Sequence, residues 1–290
     1  MSWLRLTRIA LLPTIAWDFS VGLLLAGYSV DEFPWLAFCA LALIYHGSMI
    51  LNDFADQKQD VIAQRSRPIV NKDIAPLLAL VSGLLMYVAA ALICKFFYQP
   101  VFELCIYLLI TVLIYNFSPG FLRKQLGPAL LATARAFSLM FGVSALLGPE
   151  SSINIIAYQT IMAYALYFLF LSRLAQHEEA GIAPMKGLSY ISMAALAPYL
   201  LLAQAPLDPL VVVSLLAFTA LTLRPAIKFR HQTWTPEIVQ SLTRSSLCLA
   251  PIVLGIALLV SDSDISKLSA LVSVAVVLLT SELAKKITIE

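Results

Sequence analysis

Residues 35–60 read WLAFCALALIYHGSMILNDFADQKQD, and the change of character inside this stretch decides the fold. The first part, Trp35 to Leu51, is an apolar run close to the roughly 20 residues that a helix needs to cross a bilayer. The run then turns acidic without a break. On a continuing helix Asp53, Asp56 and Asp60 stand at i, i+3 and i+7, so their carboxylates share one face. Asn52 joins that face through its i+4 relation to Asp56. Three acids on one stripe at a membrane helix end repel one another and lose solvation unless a cation compensates them. Oxygen ligands of this kind suit Mg²⁺, which takes one or two carboxylates together with substrate phosphates. The plainer reading is a solvated, charged helix end. Three acids in phase, with Arg65-Ser66-Arg67-Pro68 just beyond, favour metal and phosphate.

The remaining sequence identifies the setting. The chain has 290 residues, 60% hydrophobic and 12% charged, with a mean hydropathy of +0.87. That composition excludes an ordinary soluble domain. Apolar stretches of spanning length recur at 9–30, 34–52, 74–97, 101–116, 127–148, 153–172, 187–204, 207–223, 243–261 and 266–284. Only Ala205-Pro206 separates the seventh from the eighth, which predicts a tight reversal. The expected fold is an all-α polytopic membrane protein, a bundle of about nine to ten transmembrane helices in one domain spanning 1–290. No short apolar segment with a small-residue cleavage site precedes the first span, so that span is expected to stay as a membrane helix.

Orientation follows from the basic residues. With the N-terminus in the cytoplasm, Lys95 and Lys267 fall outside, Arg135 falls within a span, and every other member of the 19 Lys and Arg lies inside. This places both termini and the Asp53 cluster on the cytoplasmic side. The net charge of +2 is thereby a topology signal and gives no indication of a nucleic-acid partner.

Other chemistries find little support. Cys39, Cys94, Cys105 and Cys248 lie in or near apolar spans without disulfide or metal-ligand spacing, and read as packing residues. His46, His177 and His231 are too scattered for a zinc site. There is neither a Gly-rich phosphate loop ending in Gly-Lys nor a nucleophile elbow.

Three inner segments carry the remaining polar residues. Asp53 to Asp73 holds the acidic stripe and Arg67-Pro68. Tyr115 to Lys124 breaks a helix at Ser118-Pro119-Gly120 and adds Arg123 and Lys124. Ser172 to Gly181 supplies Arg173, Gln176, His177, Glu178 and Glu179. All three emerge on one face of the membrane. Carboxylates for Mg²⁺ beside Arg and Lys for phosphate oxygens are what diphosphate chemistry requires.

The pattern N-D-x-x-D-x-x-x-D followed by R-P, at the inner end of the second span, resembles the first aspartate motif of the UbiA superfamily of intramembrane prenyltransferases. Tyr115 to Lys124 resembles that family's second inner loop, and the third inner segment falls where the family carries a second aspartate motif. The resemblance implies a UbiA-like bundle, usually of nine spans, around a central cavity open toward lipid, with a tenth span appended here. It implies a Mg²⁺-dependent prenyltransferase that ionises an isoprenoid diphosphate donor and transfers the prenyl group to an aromatic or other nucleophilic acceptor. By the resemblance Asn52, Asp53, Asp56 and Asp60 bind the metal and diphosphate. Arg67, Tyr115, Arg123 and Lys124 are candidate diphosphate contacts.

The second motif departs from the family, since it contains no aspartate. Glu178 and Glu179 are adjacent and point about 100° apart on a helix, so they do not easily chelate one ion together. Either one of them binds a second Mg²⁺, with Arg173 binding phosphate directly, or the second metal site is lost. The Ser172-Arg173…Glu pattern resembles a divergent branch associated with Ebo-type biosynthetic clusters. Asp18 and Arg135 lie within spans, where a charge is costly. They line the cavity and touch acceptor or diphosphate, or they form a buried pair. A cyclase using the same ionisation, and a transporter or silent scaffold, are the competing readings. No counterpart of Asn52–Asp60 in the second half supports a transporter's internal repeat.

Overall fold

The computed structural model describes residues 2–28, 33–147, 154–203, 208–261 and 263–287. Among these the chain is helical, without strands: α1 (Ser2–Leu6), α2 (Leu12–Leu25), α3 (Trp35–Ala55), α4 (Gln57–Ile62), α5 (Pro76–Phe97), α6 (Phe102–Phe117), α7 (Gly120–Leu147), α8 (Ile155–Ala175), α9 (Pro184–Leu196), α10 (Pro209–Lys228), α11 (Pro236–Cys248), α12 (Ala250–Val260), α13 (Asp264–Ser269) and α14 (Val272–Ile287). Nine segments among the described residues are long and apolar enough to cross a membrane, and the shorter apolar segment Ile9–Leu25 precedes them. In order, these ten correspond to the ten spans expected from hydropathy. The edges placed at 30, 148, 153, 204 and 207, and the reversal at Ala205-Pro206, lie outside the described residues.

Prolines and small polar residues punctuate the bundle. Pro76, Pro184, Pro209 and Pro236 open α5, α9, α10 and α11, where the missing N–H costs nothing. Asn154 caps α8 by accepting from the Ala157 amide at 2.7 Å, and its own amide donates to Leu25 O at 2.6 Å, tying α8 to the end of α2. The ninth span bends at Leu249, between α11 and α12, just ahead of Pro251. The fifth begins at Gly120, seven residues before the hydropathic edge, so Arg123 and Lys124 stand on the first turns of α7 rather than in a loop. Pro128 sits inside this helix and leaves the Lys124 carbonyl without its intrahelical donor. Gln176 Nε2 donates to that carbonyl at 2.6 Å and binds the end of α8 to the start of α7.

Close backbone approach holds the bundle together. At the α2–α7 crossing, a Cβ on Gly142 would stand 2.1 Å from Phe19 O, and one on Gly22 would stand 2.3 Å from Leu139 O. Small residues allow this contact where lipid offers no hydrophobic drive toward association. One buried cluster joins Val21, Leu139, Tyr167 and Leu254 across α2, α7, α8 and α12. A second joins Phe19, Leu41, Ala90 and Leu108 across α2, α3, α5 and α6. Large apolar residues such as Leu77, Leu85, Phe96 and Leu278 remain exposed on the outside, as a lipid-facing surface requires. At one end of the bundle, Ile182 and Trp234 exchange backbone hydrogen bonds at 3.0 and 3.1 Å. Trp234 is wholly buried and fills the space left by the absent side chain of Gly187. This clasp fixes the segment that carries Glu178 and Glu179.

Candidate active site

At the C-terminal ends of α3 and α8 and the N-terminal end of α7 lies a polar cavity of about 600 Å³. Its wall includes Arg8, Asn52, Asp56, Arg65, Arg67, Tyr115, Arg123, Lys124, Gln176, Glu178 and Glu179. All three inner segments therefore converge on one space, and five basic side chains face three acidic ones across it. Two apolar arms continue inward. One, of about 80 Å³, shares Asn52, Tyr115 and Leu131 with the polar mouth. The other, of about 300 Å³, shares Arg8, Leu131, Ser172 and Ala175 with it. Tyr45, Met49, Leu131 and Arg135 line both arms.

Each acid of the first motif is held by arginine. Arg8 Nη2 donates to Asp53 Oδ1 at 3.1 Å, and Arg67 Nη1 stands 3.9 Å from the same oxygen. Asp53 Oδ2 is buried and has no hydrogen-bond partner. Asp56 is gripped by Arg123, through a short contact to Oδ1 and a 3.0 Å bond to Oδ2. Arg123 also donates to Asn52 Oδ1 at 2.8 Å, and its guanidinium lies 4.7 Å from the centre of the Tyr115 ring, a cation–π contact. Neither Asp53 nor Asp60 lines the cavity. The helix is interrupted at Asp56, between α3 and α4, and the Asp60 carboxylate accepts from Arg65 at 3.2 Å. Burial pushes the Asp60 carboxyl above its ordinary value, against the pull of Arg67 and Arg65.

The third segment completes the mouth. Arg65 donates to Glu179 at 2.7 Å, so one guanidinium joins Asp60 to the loop after α8. Glu178 and Glu179 both line the cavity. Burial raises the Glu178 carboxyl above its usual range, opposed by the nearby Thr243, Arg244 and Arg65. Burial, with Lys186 and Lys124 nearby, holds His177 below its ordinary value. Arg173 is not among the lining residues. Ser172 takes that place, because neighbours on a helix point about 100° apart.

The two intramembrane charges form a pair. Arg135 Nη1 lies 3.0 Å from Asp18 Oδ2, and Tyr164 OH donates to Asp18 Oδ1 at 2.6 Å. Arg135 also lines both arms, whereas Asp18 lines neither and is buried behind it.

Arg8 is the cavity-lining side chain that sequence reading missed. It sits between α1 and the short 3₁₀ turn Ile9–Leu11 in a left-handed conformation, φ 50°, uncommon for a residue with a side chain. His46 Nδ1 contacts Thr7 O at 2.7 Å and pins the preceding residue to α3, so that Arg8 is delivered to Asp53.

Among the described residues no group of three or more His, Cys, Asp or Glu side chains is placed to hold a metal ion. Mg²⁺ does not demand such a cage, since it is commonly held by one or two carboxylates plus substrate phosphate. Asn52 and Asp56, one turn apart on the cavity wall, offer hard oxygens that fit this mode, and the unpartnered Asp53 oxygen is buried behind them.

The chain is an all-α membrane bundle whose basic mouth continues into two apolar arms. The sequence pattern of the UbiA prenyltransferase family matches residues 11–247, and the chain belongs to that family. No curated protein matches it in sequence. Among solved structures, a digeranylgeranylglyceryl phosphate synthase is similar at 14% identity, over 89% of this chain and 95% of its own, with a TM-score of 0.61. A UbiA homologue from Archaeoglobus fulgidus, bound to DMAPP and Mg²⁺, is similar at 15% identity over 90% of this chain and 99% of its own, with a TM-score of 0.57. The same homologue bound to GPP gives 14% identity, 98% and 100% coverage and a TM-score of 0.53. At these identities the likeness is one of fold.

Proposed function

We propose that this chain is a Mg²⁺-dependent intramembrane prenyltransferase that ionises an isoprenoid diphosphate and passes the prenyl group to a nucleophilic acceptor. The observation that carries the reading is the cavity itself: Arg8, Arg65, Arg67, Arg123 and Lys124 face a mouth that continues into apolar arms. Diphosphate oxygens suit the guanidinium forks, and a prenyl tail suits the arms. The homologue from A. fulgidus, whose structures hold DMAPP with Mg²⁺ and GPP, supports the same donor class.

In the reaction the allylic C–O bond breaks and its electron pair leaves with the diphosphate. The acceptor's electron pair closes on the allylic carbon, and the acceptor then loses a proton. Arg67, Arg123 and Lys124 would bind the diphosphate, with Tyr115 orienting the Arg123 fork. Asn52, Asp53 and Asp56 would hold Mg²⁺, which when bound supplies positive charge to the departing diphosphate. Asp60 orients Arg65 from outside the cavity wall, and Glu178 and Glu179 close the mouth. Apolar walls keep water from the allylic cation. The bias of Lys and Arg supports a multi-pass protein with this mouth, and both termini, on the cytoplasmic side.

The test is release of inorganic diphosphate from geranyl diphosphate, with Mg²⁺ and with chelator. Chelation should abolish release. Asp53→Ala and Asp56→Ala should each lower it by about 10²-fold or more while the protein still inserts. Wild-type turnover from both variants would sink the assignment.

A further inference from the structure

Metal and diphosphate, the two ligands proposed for the mouth, ask for the same side chains. Of the four residues of the first motif, Asn52 and Asp56 are the two that line the mouth, so theirs are the oxygens a metal ion meets there. One guanidinium already holds them. Arg123 makes a short contact to Asp56 Oδ1, and donates to Asp56 Oδ2 at 3.0 Å and to Asn52 Oδ1 at 2.8 Å. Asn52 Nδ2 adds a bond to Asp56 Oδ2 at 3.2 Å. The Asp56 and Arg123 side chains are 14% and 20% exposed, so water screens this pair less than it would a surface pair. A divalent ion on the same carboxylate would sit against the guanidinium, and like charges at that range repel.

Arg123 has a second anchor. It stands near the start of α7 with its guanidinium 4.7 Å from the centre of the Tyr115 ring, and Tyr115 also lines the mouth. We infer that Arg123 guards the metal-binding oxygens: it opposes a metal ion arriving alone, and it yields Asp56 when a diphosphate draws its fork away. The fork then keeps the aromatic contact and turns to phosphate oxygens, which it can grip in the same bidentate way. One carboxylate–cation pairing replaces another, and no covalent bond changes. By linkage, metal and diphosphate each raise the affinity for the other by the same factor. This deepens the prenyltransferase reading and rests on it.

Mn²⁺ serves as the metal probe, and its binding to the full-length protein in nanodiscs of neutral lipid is read from the loss of the free-ion EPR signal. With no diphosphate added, wild type should bind weakly. Arg123→Met, which keeps the stem and removes the fork, should tighten binding about tenfold. Arg123→Gln serves the same purpose should the methionine variant fail to fold. Lys124→Met removes a mouth cation that makes none of these bonds, and should gain less than about threefold. Adding geranyl thiolodiphosphate, a donor analogue that resists ionisation, should raise the Mn²⁺ affinity of wild type by a larger factor than that of Arg123→Met. Chelation by the free analogue is the same for both proteins and cancels. Unchanged or weaker Mn²⁺ binding without Arg123, an equal gain from Lys124→Met, or equal factors with the analogue overturns the inference. Absence of Mn²⁺ binding in every variant overturns the metal reading together with it. Metal binding is scored without turnover, so a guard that behaves as expected in a protein releasing no diphosphate from geranyl diphosphate refutes the reaction and not the guard.

Discussion

Removing either member of the Asp18–Arg135 pair should expose how much the bundle depends on charge matched inside the membrane. Asp18 is 1% exposed and the Arg135 side chain 16%, so neither is screened as a surface charge would be. Breaking such a pair from one side leaves the other charge buried, which costs about 3–5 kcal/mol. For Arg135→Gln the remaining bond from Tyr164 to the Asp18 carboxylate offsets part of this, by about 1.5–3 kcal/mol for a bond to a charged group. The net loss is then about 2 kcal/mol, a fall of roughly 4–8 °C in the apparent Tm. Asp18→Asn strands Arg135, whose guanidinium also lies 4.6 Å from the centre of the Phe168 ring, and a loss of similar size is expected. The double variant removes both charges and should lose little more than one single variant, giving a coupling of about 2 kcal/mol. The assay is thermal unfolding of all four proteins in one detergent at one scan rate, because unfolding of a membrane protein is kinetically sensitive. Additive losses, with no coupling, would refute the claim that the two charges neutralise each other. A neutral cycle is preferable to exchanging the charges, since Tyr164 and Phe168 are placed for an acid at 18 and a guanidinium at 135.

Two further outcomes follow from geometry already described. Glu178 has its carboxyl raised by burial, so the stability it contributes is full below its unfolded value of 4.5 and is lost as pH rises through the folded one. Glu178→Gln should therefore gain stability relative to wild type as the pH climbs from about 4.5 toward neutrality, read as diverging Tm curves; parallel curves would contradict the assignment. Gly142→Ala places a methyl against Phe19 O and should force α2 and α7 apart, at about 2–3 kcal/mol and with reduced yield of monodisperse protein.

Much of the architecture was legible in the sequence because the bilayer imposes a length on every span, and a run of twenty apolar residues has few other uses. That the three inner segments leave on one face was legible as well, since spans of alternating direction bring alternate connections to one face; their convergence on one cavity was not, because it depends on how the helices pack. What escaped depended on side-chain direction and on local backbone. The start of α7 was hidden because Arg123, Lys124 and Gln125 lower the hydropathy while remaining good helix formers. Asp60 was placed with its neighbours by assuming one unbroken helix, and the interruption at Asp56 turned it toward Arg65. Arg8 looked like one more cytoplasmic cation. Its reach to Asp53 depends on contacts 39 and 45 residues apart in sequence, which no local pattern encodes. Ser172 and Arg173 could not be ranked without knowing the rotation of α8.

The proline within α7 also bears on how this mouth can change over evolutionary time. Gln176 is bound to the main chain of residue 124, not to its side chain, and the acceptor it uses is left vacant by the ring of Pro128. A backbone carbonyl is present whatever residue occupies the position. Position 124 is therefore free to trade its lysine for other side chains, retuning the charge offered to a ligand, without disturbing the joint between the two loops. The constraint falls instead on residues 128 and 176, which together make the joint.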